Sequence, residues 1–148
     1  MIELVRAGVK DHGIVTALIL YLARHQELEL EADRDKWDRI VAKLLDSDGW
    51  LFLLALEDSE PAGLAVANWF LTLDAREHGR LMALVVEEER RRRGIGGRLI
   101  KDVLASARRR DCCEFEVCVR PDNEEIAAFY RRFGYTREQR LFTWSWND

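Results

Sequence analysis

Apolar positions recur along this chain in two rhythms, one of strands and one of helices. Residues 2–6, Ile-Glu-Leu-Val-Arg, predict a strand. From Asp11 to about His25, the residues Ile14, Leu18, Tyr21 and Leu22 fall at helical spacing. A polar, acidic stretch follows from Glu27 to Asp35. Trp37, Ile40, Val41, Leu44 and Leu45 then mark a second helix, which Ser47-Asp48-Gly49 closes. Trp50 to Leu56 is a continuous apolar run and predicts a buried strand. Turn residues from Glu57 to Pro61 predict a hairpin to a strand over about Ala62 to Leu73. Ala75 to Gly79 predicts another turn, which includes His78, and Arg80 to Val86 the next strand. Ile95, Leu99, Val103 and Leu104 mark a long helix ending in Arg108-Arg109-Arg110, where positive charge suits the helix dipole. Cys112 to Val119 predicts a strand. Ile126, Phe129, Tyr130 and Phe133 share one helical face, and Gly134 stands just past its end. Tyr135 to Trp146 predicts the last strand or strands.

Antiparallel neighbours followed by a β-α-β-α-β tail imply an α/β (α+β) fold. The expectation is a mixed, mostly antiparallel central sheet of six to seven strands flanked by about four helices. A length of 148 residues fits one domain, 1–148. With 48% hydrophobic and 34% charged residues, the composition is that of a globular chain. No apolar run approaches the roughly 20 residues needed to cross a bilayer, and the first residues lack the features of a signal peptide. The expectation is therefore a cytoplasmic protein without a membrane partner. The net charge of −4 argues against nucleic acid as a partner, and the basic run Arg90 to Arg93 has no interleaved aromatics. Cys112, Cys113 and Cys118 fit neither a zinc pattern nor a disulfide framework, so they are expected as reduced core residues. No other metal-ligand spacing occurs, so no metal is expected.

The most informative segment runs from Leu84 to Leu99: an apolar strand, a charged turn, then Gly94-Ile95-Gly96-Gly97 opening a helix. Backbone N–H groups at a helix start lack intrahelical partners, and the dipole makes that end positive. Glycines let a phosphate come close to the backbone, and arginines add charge, so the segment suits a diphosphate. It is not a Walker A loop, because Gly96 is followed by Gly97-Arg98. Nor is it a dinucleotide fingerprint, because Leu99 stands where the third glycine belongs. The bland alternative is a solvated basic turn before a surface helix.

Arg91-Arg92-Arg93-Gly94-Ile95-Gly96 resembles the Arg/Gln-x-x-Gly-x-Gly/Ala signature of the GNAT superfamily of N-acetyltransferases, and Val86 stands where that family places a strand valine. The run from Asn123 to Tyr135, with Phe129-Tyr130-Arg131-Arg132-Phe133-Gly134-Tyr135 at its end, resembles a second motif of the same family. The two stand in the family's order, and the residue-level likeness covers about the second half of the chain. The resemblance implies acetyl-CoA as cosubstrate. It implies that the N–H groups of Arg91, Arg92, Arg93, Gly94, Ile95 and Gly96, running into Gly97, bind the pyrophosphate. Leu84, Val85 and Val86 would receive the pantetheine arm as an added strand, through the backbone of Leu84 and Val86. Asn123 would hydrogen-bond the cofactor arm, and Tyr130 would act as general acid at the thioester sulfur.

Each role has a plainer counterpart. Tyr130 lies on an apolar helix face that needs aromatics anyway. Asp122 with Glu125 forms a capping box that frees Asn123 for another job, or Asn123 is itself the cap. Glu87, directly after the strand end, is the candidate general base, and the run Glu87-Glu88-Glu89 otherwise reads as a solvated turn. Glu27, Glu29, Glu31 and Asp33 either attract a cationic amine or form an exposed loop. The five tryptophans read as core and interface, with Trp69 able to face substrate. The cysteines lack an evident activating base, so direct acetyl transfer to a primary amine in a ternary complex is expected rather than an acetyl-cysteine. A small-molecule acceptor is expected ahead of a protein. Polyamine acetyltransferases of this family carry acidic residues where this chain has Met82 and Ala83, which argues against a polyamine. The alternative function is a non-catalytic acyl-CoA-binding or sensor protein on the same fold. The aromatic run Leu141 to Trp146 is a candidate homodimer edge.

Overall fold

The computed structural model describes residues 1–25 and 33–146. The chain divides into two compact units, Met1–Cys118 and Val119–Asp148.

The first unit holds β1 (Ile2–Arg6), α1 (His12–His25), α2 (Arg34–Leu45), β2 (Trp50–Glu57), β3 (Glu60–Leu71), β4 (Glu77–Val86), α3 (Ile95–Arg109) and β5 (Glu114–Val117). The strands lie in the order β1-β2-β3-β4-β5. The first three pairings are antiparallel and β4 with β5 is parallel, so the sheet is mixed and mostly antiparallel as expected. Tight turns explain the meander: Asp58 and Ser59 between β2 and β3 both take positive φ, as a two-residue hairpin requires.

Each sheet face has its own cover, because strand side chains alternate. Phe52, Leu54, Leu64, Val66 and Val85 pack with Val15 and Leu18 of α1 and Val41 of α2. The opposite face meets α3, which buries Ile95, Leu99, Ile100, Val103 and Ala107 as one helical stripe. Gly63 of β3 is required there. A Cβ at that position would stand 2.8 Å from the Val85 carbonyl oxygen and 3.3 Å from the Leu99 side chain. Asp33, in the acidic stretch, caps α2 by accepting from the Lys36 N–H at 3.1 Å. Glu27, Glu29 and Glu31 lie outside the described residues.

Two irregularities shape β4. Its pairing with β3 shifts register between Val66 and Ala67, leaving Met82 as an extra, exposed residue. Its pairing with β5 covers only His78 to Leu81. Beyond Leu81 no strand among the described residues flanks β4 on that side.

The second unit contains α4 (Glu124–Arg132), amphipathic as expected. Gly134 follows with φ +98, and its N–H donates to the Arg131 carbonyl at 3.1 Å, the C-terminal arrangement that glycine favours.

Three expectations are corrected. The sheet has five strands among the described residues rather than six to seven, because residues 135–146 form no ladder. Alternation supplies a strand's pattern but not its partner, and Leu141, Phe142, Trp144 and Trp146 remain exposed. The turn before β4 closes earlier than its glycine suggested. Thr72 N–H donates to the Arg76 carbonyl at 3.2 Å and Ala75 turns at positive φ, which puts His78 and Gly79 inside the strand. The cysteines are not core residues: Cys112 and Cys113 are half-buried, Cys118 is exposed, and all three flank the short β5 as free thiols. Among the described residues, no helix is long and apolar enough to cross a membrane.

Candidate functional site

The site begins where β4 loses its second neighbour. Leu64 pairs opposite Val85, and the Glu87 N–H donates to the Ala62 carbonyl at 2.9 Å, so Val85 and Glu87 direct their backbone groups toward β3. By alternation, Leu84 and Val86 direct theirs to the open side. The Val86 carbonyl accepts from Arg91 Nε at 3.2 Å. What remains is a short length of strand edge able to receive an extended polar ligand.

The turn that follows is built by cross-chain contacts. The Glu88 N–H donates to the Tyr21 hydroxyl at 2.8 Å, tying the turn to α1. Arg90 Nη1 lies 2.8 Å from Glu57 Oε2, and Arg93 Nη1 lies 2.7 Å from Glu57 Oε1. One carboxylate at the end of β2 thus holds two arginines. Arg93 foremost, and Arg90 with it, keeps the Glu57 carboxyl below its ordinary range, and the same contact raises Arg90.

Gly94 ends the turn with φ +77 and ψ 10, and no side chain caps α3. Its carbonyl accepts from the Arg98 N–H at 3.1 Å. The N–H groups of Ile95, Gly96 and Gly97 find no acceptor among the described residues, and the first turn of α3 carries no acidic residue. The bare helix start therefore keeps its full positive dipole. Arg92 stands beside it in a left-handed conformation, φ 64, exposed and without an ion pair among the described residues. Of the four arginines, Arg90 and Arg93 serve the turn, Arg91 reaches back to β4, and Arg92 faces solvent.

Glu87 sits at the strand end as expected, with a carboxylate oxygen 3.4 Å from Arg90 Nε. Trp69 is buried. Its ring lies 5.7 Å from that of Phe115, and the Arg110 guanidinium stacks over it at 5.1 Å, which makes it a packing residue.

In the second unit, Asn123 is the cap of α4, its side-chain oxygen accepting from the Ile126 N–H at 3.1 Å. The Asp122–Glu125 box is not what caps this helix. The amide's Nδ2 remains a donor. Tyr130 is buried against Phe129, ring centroids 5.2 Å apart, and Tyr135 at 5.5 Å. Burial pushes its phenol up to about 12.

The expectation that no base stands near a cysteine is corrected: Cys113 Sγ lies 3.1 Å from His78 Nε2. That pair sits at the start of β4, at the other end of the strand from the turn. Burial raises the Cys112 thiol, the opposite of what a nucleophile needs. The residues that sequence reasoning missed are Glu57 and Tyr21, which act through partners 36 and 67 positions away in sequence.

Comparison with known proteins agrees with this geometry. Residues 14–135 match the family model described as "Acetyltransferase (GNAT) family", and the chain belongs to that family. An uncharacterised N-acetyltransferase of Methanocaldococcus jannaschii is 28% identical over 116 residues, which are 75% of this chain and 50% of that protein. N-alpha-acetyltransferase 30 of Xenopus laevis is 28% identical over 97 residues, 66% of this chain and 36% of that protein. The chain thus spans half or less of the length of these curated relatives. The crystal structure of an aminoglycoside acetyltransferase from an uncultured soil metagenomic sample, in complex with sisomicin, has a TM-score of 0.85 at 18% identity. It covers 99% of this chain and 95% of that one. That likeness is one of fold.

Proposed function

We propose that this chain transfers the acetyl group of acetyl-CoA to a primary amine, a small molecule in preference to a protein. The observation that carries this reading is the open edge of Leu84 and Val86 running directly into the uncapped start of α3. An extended amide-bearing arm fits the edge, and a diphosphate fits the helix start. The N–H groups from Arg92 to Gly97 hold the pyrophosphate, the Arg91 N–H being taken by the Glu88 carbonyl at 3.3 Å, and the Arg92 guanidinium adds charge. Asn123 Nδ2 donates to the pantetheine arm while Oδ1 caps α4. The family match crosses both units, which supports treating residues 1–148 as one working domain.

Bound acetyl-CoA supplies an electrophilic thioester carbonyl and a thiolate leaving group. The amine attacks directly in the ternary complex, and its orientation supplies much of the rate. The Val86 N–H faces the open side and serves the developing oxyanion. Glu87, directly or through water, takes the ammonium proton. Tyr130, kept protonated by burial, gives a proton to the departing sulfur. The fold shared with an aminoglycoside acetyltransferase agrees with a small-molecule amine as acceptor. We assign homodimer contacts to the exposed aromatic run Leu141 to Trp146.

The test is calorimetric titration with acetyl-CoA, with CoA and ATP as controls, followed by thiol-release assays over a panel of amines. Saturable binding that ATP does not match, with thiol release for at least one amine, is the expected result. Binding without release from any amine would favour a non-catalytic acyl-CoA-binding protein. No binding by the folded chain would overturn the cofactor assignment.

A further inference from the structure

At the opposite end of β4 from the candidate site, three side chains of different chemistry converge. Asp74 comes from the β3–β4 turn, His78 from the second residue of β4, and Cys113 from the residue before β5. His78 Nε2 lies 3.3 Å from Asp74 Oδ2 and 3.1 Å from Cys113 Sγ. The three donor atoms all lie within 4.8 Å of one another. In a tetrahedral zinc site with bonds of about 2.0 to 2.3 Å, neighbouring ligand atoms are about 3.3 to 3.8 Å apart. The observed cluster needs only a small adjustment to reach that geometry.

Hydrogen bonding alone satisfies this arrangement poorly. Protonated, Nε2 donates to the Asp74 carboxylate and cannot accept from the Cys113 thiol; unprotonated, it accepts from the thiol and faces the carboxylate without a proton. A cation at the centre satisfies all three at once.

The surroundings are also those of a ligand set. Asp74 Oδ1 is occupied by the Thr72 hydroxyl and by the Arg76 N–H at 3.0 Å, which leaves Oδ2 directed at the cluster. On the far side of the imidazole, His78 Nδ1 lies 3.7 Å from Glu114 Oε2. A carboxylate behind a ligating histidine fixes its tautomer and raises its basicity. The Phe70 ring stacks on the imidazole, centroids 6.0 Å apart. The Cys113 N–H donates to the Glu77 carbonyl at 2.9 Å, which fixes the backbone that carries the thiol.

We propose that Asp74, His78 and Cys113 form a binding site for a zinc-class divalent transition metal, with water in the fourth position. One thiolate, one imidazole and one carboxylate match the ligand preferences of zinc and cobalt(II) rather than magnesium or calcium. On binding, the metal–sulfur bond replaces the S–H bond of Cys113, the proton leaves to solvent, and the ion sheds water for the three protein donors. The site joins the β3–β4 turn to the approach to β5, so its effect is to pin the short parallel pairing of β4 and β5. It lies about eight residues along β4 from Val86, on the order of 25 Å, and does not depend on the acetyl-CoA reading.

The test is titration of chelator-treated, tag-free protein with cobalt(II), then zinc, followed by absorption spectroscopy. The expected result is one cobalt per chain, visible bands of a four-coordinate ion and a thiolate-to-cobalt charge-transfer band, all abolished by zinc. Cys113→Ser should remove the charge-transfer band, and His78→Gln and Asp74→Asn should each weaken binding at least tenfold. Cys112→Ser and Cys118→Ser should leave it intact. Circular dichroism checks that each variant is folded, and Asp74→Asn, at an exposed position, is the one least exposed to a folding artefact. Absence of a charge-transfer band in the unmodified protein would overturn the proposal, as would its loss in Cys112→Ser and not in Cys113→Ser. Acetyl-CoA titration of the same samples reads the cofactor site separately.

Discussion

Glu57 holds Arg93 at 2.7 Å, joining the last residue of β2 to the turn that opens α3. The second oxygen of the same carboxylate holds Arg90, so the turn is clamped at both ends of its arginine run. Glu57→Gln keeps the shape and removes the charge. The KM for acetyl-CoA is expected to rise severalfold with a smaller change in kcat, because the turn loosens while the reacting groups stay. The Glu57 carboxyl lies below its ordinary value of 4.5 in the folded chain. Its stabilising contribution is therefore complete above that value and is lost as pH falls below it. Acid unfolding followed by circular dichroism should show a shallower decline for the variant than for the wild type.

Tyr130→Phe should lower kcat by about 10²-fold with little change in the KM for acetyl-CoA. The wild-type phenol titrates at about 12, so it does not generate any basic limb of the rate profile near neutrality. A raised folded-state value also makes stability depend on pH in a definite direction. The contribution is full below the unfolded value of about 10 and declines as pH rises from there toward about 12. Urea unfolding of wild type and Tyr130→Phe across that window checks it, and the difference between them should narrow as pH rises.

Arg92 and Gly94 both sit at positive φ, 64 and 77, on either side of Arg93. Gly94→Ala meets nothing within 4 Å, so its cost is backbone strain alone, about 1 to 2 kcal/mol by denaturant titration. Arg92→Gly relieves the same kind of strain but adds unfolded-state entropy, and should be close to neutral in stability. Arg92→Gly and Arg92→Ala remove the same charge. Both should weaken acetyl-CoA binding by a similar factor in calorimetry, even though their stabilities differ.

Asn123 divides into two functions that a pair of variants separates. Asn123→Ala removes the cap of α4 and should cost about 1 kcal/mol. Asn123→Asp keeps a capping oxygen and adds favourable charge at the helix start, so stability should be retained. It also removes the Nδ2 donor. A raised KM for acetyl-CoA in Asn123→Asp at unchanged stability is the expected outcome, and an unchanged KM would leave Asn123 as a cap only.

The strands and helices were legible where the period was strong. Trp50 to Leu56 and the face of Ile95, Leu99 and Val103 read directly from spacing because burial imposes that spacing. The turn from Leu84 to Gly97 was legible because glycines at a helix start, with charge before them, mark a backbone turn whose N–H groups are left without acceptors. What sequence did not show are relationships that exist only after folding. Glu57 meets Arg93 across 36 positions, and His78 meets Cys113 across 35, through pairings of strands that composition does not encode. The aromatic alternation after Tyr135 carried strand propensity, but a strand is a pairing, and no pairing partner stands beside it among the described residues.

The extra residue at Met82 inverts the alternation of side chains along β4. Leu81 pairs opposite Ala67, while Ala83 pairs opposite Val66, a residue of the core beneath α1 and α2. Leu81 and Ala83, two positions apart, therefore face opposite sides of the sheet, and parity along the strand inverts at Met82. Odd-numbered residues serve one core before it and the other core after it. Deletion of Met82 would make Leu81 and Ala83 neighbours opposite Ala67 and Val66, so the bulge would vanish while Val85 kept its place opposite Leu64. The supernumerary residue thus inverts the numbering of the two faces along β4 and leaves the later pairings, and the open side of Leu84 and Val86, as they would be in an unbulged strand.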